Sequence, residues 1–266
     1  MTADPRTAAR DELDRTATNT GFAQAVLAGT APGELWWDRD EEPRAFHVVH
    51  PCGMSLLWGP AVADALDAVT AHLLGADRPQ WLQIDPRWHH LDWDAALGVV
   101  VPAEGDPDPL PAAVSRHTRI NFSYRPGGDR VERTVPAGWQ LRPAAAGDYG
   151  LAGTVVPAEY WPDAASFLAH GGGMVAERDG EAGAMAFAAF CWDDQVEIGI
   201  ETVPRFRRLG LARAAAGALI DVLVAGGLRP VWSCRGANTG SQRLAGSLGF
   251  TAPVGTPYLH LPGRLA

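Results

Sequence analysis

Residues 197–223, EIGIETVPRFRRLGLARAAAGALIDVL, decide the fold. The run before Pro204 alternates as a strand does. An arginine-rich turn through Gly210 then opens an alanine-rich helix, predicted from about Leu211 to Ala225 and stopped by Gly226-Gly227. A turn that opens a helix points several unpaired backbone N–H groups in one direction, so a negatively charged group fits there. Arg205, Arg207, Arg208 and Arg213 add positive charge around it. In the hexapeptide Arg207-Arg208-Leu209-Gly210-Leu211-Ala212, Gly210 permits close backbone approach and Ala212 is small enough for tight packing. The segment has no lysine for GxxxxGK[ST] and does not fit GxGxxG, which makes nucleoside triphosphates and dinucleotides poor ligands. Taken alone, the hexapeptide is equally compatible with a glycine that merely shapes a turn before a core helix.

The flanking sequence sets this turn in a sheet. Upstream, GMVAERDG turns at Asp179-Gly180 into AGAMAFAAFCW, which turns at Asp193-Asp194 into QVEIGIETV, an antiparallel meander by its short connections. Downstream come a strand in PVWSC, a short helix in TGSQRLAGSLG and a last strand in PYLHL. RINFSYR and GWQLRPA read as strands, and residues 146–173 as helical pieces broken by Pro157 and Pro162. The acidic, proline-rich segment 101–116 reads as a linker between a first lobe over 1–110 and a second over 117–266. In the first lobe, RAFHVVHPCGMSLLWG suggests two strands about a turn, PAVADALDAVTAHLLG a helix ended by Gly75, and PQWLQID a further strand.

Composition narrows the partners. The 266 residues are 47% apolar and 20% charged, so the chain can bury a core. All 22 basic residues are arginine, which reads as the codon usage of a GC-rich bacterial genome. The net charge of -9 falls mostly on the first half, which disfavours nucleic acid as a partner. The polar, acidic N-terminus lacks a signal-peptide pattern and no apolar run is long enough for a membrane span, so the expectation is a cytoplasmic protein without membrane partners. Three scattered cysteines form neither a disulfide framework nor a CxxC metal site. His47, His50, Cys52, His89 and His90 do not give two ligands on one rigid face, and no metal is expected.

The hexapeptide, the Thr202 and Pro204 that precede it, and the later Asn238, Leu244 and Leu248-Gly249-Phe250 together resemble the GCN5-related N-acetyltransferases. The similarity covers about 137–261. With the weaker first-lobe match, it extends to the two-lobed branch whose N-terminal lobe is degenerate. The resemblance implies an α/β fold with a mixed, mainly antiparallel twisted sheet flanked by helices. It also implies acetyl-CoA as cosubstrate, held at Thr202, Val203, Arg207, Arg208, Leu209, Gly210, Leu211, Ala212, Arg213 and Asn238. The acceptor implied is the primary amine of a small molecule, with an antibiotic or other secondary metabolite a reasonable candidate. A non-catalytic acyl-CoA-binding protein and an enzyme for a longer acyl-CoA are the rival readings. The assembly is left open, a homodimer included.

N-acetylation needs a base, because an aliphatic amine with a pKa of roughly 10 is protonated at neutral pH. Strand alternation puts Glu197, Gly199, Glu201 and Val203 on one face, so two acids stand together before the turn. Burial beside a like charge would raise the pKa of one of them. The resemblance favours Glu197 as base, with Glu201 in reserve; solvated or salt-bridged glutamates are the bland alternative. A backbone N–H near Thr202 would polarise the thioester carbonyl. Many relatives carry a tyrosine acid where this chain has Ala245, which leaves the acid unassigned; Tyr258, Ser241 and Cys234 lie in nearby segments. Trp161 and Phe167 are candidates for acceptor contact, because loops there cover the cofactor in the resembled fold. Six first-lobe tryptophans, several beside acids, would suit a cationic amine, but packing is the favoured explanation.

Overall fold

The structure, a computed structural model, describes residues 4–101, 108–125 and 134–264. It is a mixed α/β fold with a mostly antiparallel sheet flanked by helices. Part of the expected linker, residues 102–107, lies outside the described residues. By contacts the chain forms two compact units. Unit 1 comprises residues 1–120, 235–237 and 255–266, and unit 2 residues 121–234 and 238–254.

Unit 1 begins with two helices that the sequence did not announce, α1 (Pro5–Leu13) and α2 (Gly21–Ala28). Asp4 caps α1 by accepting from the Arg6 amide, and Pro5 stands at its first turn, where its missing N–H costs nothing. The strands run β1 (Glu34–Trp37), β2 (Phe46–Val49), β3 (Met54–Trp58) and β4 (Gln80–Ile84), with the last part of β11 (Phe250–Leu261) beside β4. The β3–β4 pair is parallel, and α3 (Leu66–Leu74) is the crossover between them. One face of these strands buries Leu57, Leu82, Ile84, Leu259 and Leu261 against Val69 and Leu73 of α3 and against Trp93 and Leu97 of α4 (Trp93–Leu97).

In unit 2 the meander is as read from the sequence: β7 (Gly173–Arg178), β8 (Glu181–Trp192) and β9 (Gln195–Thr202), all antiparallel, with β6 (Gln140–Pro143) at one edge. Asp179 and Gly180 both take positive φ, as does Asp193, the backbone hand that tight hairpin turns require. Helix α6 (Leu211–Ala225) crosses from β9 to β10 (Arg229–Arg235), which pairs parallel with β9. Its inner face is built of small residues, Ala214, Ala215, Ala216 and Gly217, with Leu219, Ile220 and Leu223 beyond them. These pack on Val196 and Ile198 of β9 and on Trp232 of β10, with Ala245 and Leu248 of the α7 (Thr239–Ser247) region closing the same core. β5 (Ser115–Tyr124) contributes residues to both units. The other face of β8 and β9 is covered by short 3-10 turns over residues 146–150 and 157–159 and by α5 (Ala164–His170).

Candidate active site

The site is built where β9 and β10 part. Their register runs through Arg229–Gln195, Pro230–Val196 and Val231–Glu197, and no further pair is formed, although β9 continues to Thr202 and β10 to Arg235. Parallel strands that diverge leave main-chain donors and acceptors unpaired inside a sheet, a template for an extended ligand. The divergence opens toward the head of α6.

At that head the backbone is shaped by left-handed residues. Gly210 has φ +85, and a Cβ there would meet only Pro136 Cγ at 3.8 Å, so the left-handed backbone, not space, favours glycine. Arg208 also has positive φ, at 64. The first helical bond into the turn is Ala214 N–H to the Gly210 carbonyl, 3.1 Å. The amides of residues 208–213 therefore have no acceptor among the described residues, and they gather at a positive helix end. Arg213 Nε is buried beside them, also without a partner among the described residues. The other arginines differ in their commitments. Arg205 is ion-paired to Glu181 and lies over Phe206, whereas Arg207 Nε donates to the Thr202 carbonyl at 3.4 Å. Leu209 stands exposed at the turn, and Leu211 is buried. Unpaired amides, a glycine at positive φ and an orphaned buried guanidinium nitrogen suit an anionic group such as a diphosphate.

The two glutamates have separate duties. Glu197, only 5% exposed, accepts a hydrogen bond from the Ser233 hydroxyl of β10, at the last paired position of the two strands. Both Glu201 oxygens are committed. Oε2 accepts from the Thr154 amide at 2.9 Å, the Val155 amide at 3.1 Å and the Thr154 hydroxyl at 3.4 Å, and Oε1 accepts from the Thr202 amide at 3.0 Å. Gly153 lies against the Glu201 side chain, where an added Cβ would stand 2.6 Å from Cγ. Glu201 thus fastens the 153–155 segment to the end of β9. The Thr202 N–H becomes a donor to a bound carbonyl only if that carboxylate moves, and the Val203 N–H is taken by the Gly183 carbonyl at 2.9 Å. Between the two acids, Gly199 leaves room for Phe187, whose Cζ would come within 2.5 Å of a Cβ.

An aromatic wall stands over this face. Tyr160 packs edge-on to Phe187 and Phe190 at 5.4 and 5.2 Å. Trp161 is 6% exposed and donates its indole N–H to the Ala188 carbonyl at 2.8 Å, while Phe167 is fully buried against Phe187. These two side chains support the wall, and half-buried Tyr160 is the member with surface to offer. Burial pushes the nearby Cys191 thiol up to about 11, so it is a thiol at neutral pH. Asn238 spends its side-chain oxygen capping α7 through the Ser241 amide at 3.0 Å. Ala245 is fully buried in the core against α6, while the Ser241 hydroxyl accepts from the Trp232 indole at 3.0 Å and Cys234 is buried. Ser233, Tyr160 and the 153–155 amides are the parts that sequence reasoning missed. Ser233 alone left a trace, as a hydroxyl in an otherwise apolar strand.

Residues 144–258 match the GNAT acetyltransferase family. That segment belongs to the GNAT superfamily. Among similar proteins is YdfB of Bacillus subtilis, an uncharacterized N-acetyltransferase, 22% identical over 237 residues that cover 86% of this chain and 85% of that one. A GCN5-related N-acetyltransferase-like protein of Streptococcus suis superposes with a TM-score of 0.66 at 20% identity, covering 95% of this chain and 98% of the other. A GCN5-related N-acetyltransferase of Kribbella flavida gives 0.57 at 19% identity, with coverage of 99% and 97%. These likenesses extend over both units, and the family match makes residues 144–258 a GNAT acetyltransferase domain. Among the described residues no helix is long and apolar enough to cross a membrane, and no group of three His, Cys, Asp or Glu is placed to hold a metal ion.

Proposed function

We propose that unit 2 transfers acetyl from acetyl-CoA to the primary amine of a small molecule, with Glu197 as the base. The observation that carries this reading is the set of unpartnered amides at 208–213 beside the buried Arg213 Nε. In this reading the amides grip the diphosphate, and the edge of β9 beyond Glu197 takes the extended amide-bearing arm of the coenzyme by strand-like hydrogen bonds. The ammonium loses its proton to Glu197, the neutral amine attacks the thioester carbonyl, and the C–S bond breaks; the proton that the attacking nitrogen then sheds goes by way of solvent to the departing thiolate, which leaves as the thiol. Glu201 is the weaker choice for base because four donors already occupy its oxygens. Ser233 orients the Glu197 carboxylate, and Tyr160 offers an aromatic surface to the acceptor. Holding amine and thioester together supplies much of the remaining rate, up to roughly 7–11 kcal/mol in ideal cases.

The test is thiol release from acetyl-CoA in the presence of a library of primary amines, with Glu197→Gln in parallel. The variant is expected to lose roughly 10²–10⁴ in turnover while binding CoA as tightly as the parent. Full turnover by Glu197→Gln across the neutral pH range removes Glu197 from the role. Tight CoA binding with no turnover on any amine removes the amine acceptor.

A further inference from the structure

The amides of a strand point alternately to its two edges. The Val203 N–H reaches the Gly183 carbonyl beside β8 at 2.9 Å, so the Thr202 N–H points to the opposite edge, into the gap that β10 leaves. The chain itself fills that donor. Glu201 Oε1 accepts from it at 3.0 Å, a carboxylate standing where a visiting carbonyl would have to be.

The same carboxylate is a tether. Among the described residues, the hydrogen bonds made by residues 152–155 all end on Glu201 Oε2, from the Thr154 amide and hydroxyl and from the Val155 amide. Ala152, Gly153 and Thr154 are exposed, and the segment runs on through Val156 and Pro157 to Tyr160. Gly153 lets it lie flush, since a Cβ there would stand 2.6 Å from both Cγ and Oε2 of Glu201. Packed in this way, the side chain has little room to pivot in place. Two acceptors cannot share one amide hydrogen at full strength, and the two oxygens of a carboxylate move as one body. A carbonyl that takes the Thr202 N–H therefore draws Oε2 away from Thr154 and Val155.

We propose that Glu201 is a latch that holds the empty site shut and that the coenzyme opens. The proposal rests on the acetyl-transfer reading above: a carbonyl of the coenzyme's amide-bearing arm replaces Oε1 on the Thr202 N–H, the carboxylate swings off, and residues 153–155 are released from the end of β9. When the coenzyme leaves, the carboxylate returns. The trigger is the arm and not the diphosphate, because the amides of 208–213 that suit a diphosphate take no part in this set of bonds. A ligand with a diphosphate and no arm leaves the latch shut. Seating of the coenzyme is thereby coupled to the segment that leads to Tyr160.

Amide hydrogen exchange of the full chain, followed by NMR with CoA and with ADP as a diphosphate lacking the arm, is the test. Saturating CoA is expected to lower protection of the Thr154 and Val155 amides by roughly tenfold or more, and ADP, at concentrations that displace CoA, to leave it unchanged. Glu201→Ala, its α6 amides still protected, is expected to bind CoA roughly tenfold tighter than the parent by calorimetry, since no carboxylate has to be displaced, and to bind ADP equally. Gly153→Ala, which crowds the same carboxylate but keeps it, should shift CoA affinity in the same direction. A glutamate that served only to hold the segment would, on removal, leave CoA affinity unchanged or weaken it. Failure of CoA to bind the parent removes the acetyl-transfer reading and the latch with it. Where CoA binds, the latch alone is overturned by undiminished protection at Thr154 and Val155, by equal release with ADP, or by CoA affinity in Glu201→Ala no tighter than in the parent.

Discussion

Replacing His47 by leucine is expected to change how the stability of the chain depends on acid. His47 is fully buried, and burial first, then the neighbouring His72, lowers its pKa from 6.5 to about 3; its Nδ1 lies 2.9 Å from His72 Nε2. His50 is lowered from 6.5 to about 4 by burial and then by Arg78. Both are neutral in the folded chain and ordinary in the unfolded one, so below 6.5 the unfolded state holds more protons and stability falls with pH until the folded values are reached. A tenfold change in a protonation equilibrium is worth about 1.36 kcal/mol, so near pH 4.5, where the unfolded imidazole is protonated about a hundredfold in excess, each histidine withdraws about 2.7 kcal/mol. Together they withdraw about 5 kcal/mol, comparable to the whole stability of a marginal domain. Asp38 and Asp148, whose folded pKa values are lowered, lose their contribution only as pH falls past 3.8, below this window. Urea unfolding followed by near-UV circular dichroism at several pH values between 7.5 and 4.5 would measure the slope. His47→Leu should show a shallower slope than the parent, whatever its stability at neutral pH, with His50, His72 and His260, whose pKa values are also lowered, supplying the rest. Equal slopes in parent and variant would refute the argument, since they would mean His47 protonates in the folded chain as readily as in the unfolded one.

Three further outcomes follow from unit 2. Gly210→Val should weaken CoA binding by tenfold or more, because a β-branched residue resists φ +85; calorimetry showing unchanged affinity would separate the turn from the coenzyme. Glu201→Ala removes the acceptor from three backbone amides and should abolish hydrogen-exchange protection at Thr154 and Val155 while leaving α6 protected. Trp161→Phe leaves the Ala188 carbonyl unpaired in a buried place and should cost about 1–3 kcal/mol in urea unfolding, with little effect on CoA affinity.

Much of unit 2 was legible because its signals are local. The β7–β9 meander is announced by Asp-Gly and Asp-Asp turns, and α6 ends at Ala225 because two glycines follow it. The first lobe was harder. Helix α2, GFAQAVLA, is almost uniformly apolar and eight residues long, so it carries no helical periodicity to read. Most of the acids beside tryptophans proved to be caps and turn anchors: Asp92 accepts from the Ala95 amide, and Asp38 from those of Arg44 and Ala45. β11 starts at Phe250, not at Pro257, since TAPVGTP reads as loop by its Gly and Pro content and Ala252 does take positive φ. The Glu197–Ser233 bond was unreadable, because the register of a parallel pair depends on how α6 crosses over, which no local pattern encodes.

The early parting of β9 and β10 bears on how this chain can change over generations. What the gap offers a visitor is peptide groups, and these are the same whatever side chains hang from them. Substitutions along β9 can therefore accumulate without erasing the docking face proposed above, provided Gly210 keeps its backward turn and the helix start stays uncapped. On the proposed reading, a fold that recognises through its own spine leaves side chains free to drift, and this fold is shared with the Streptococcus suis protein at 20% identity.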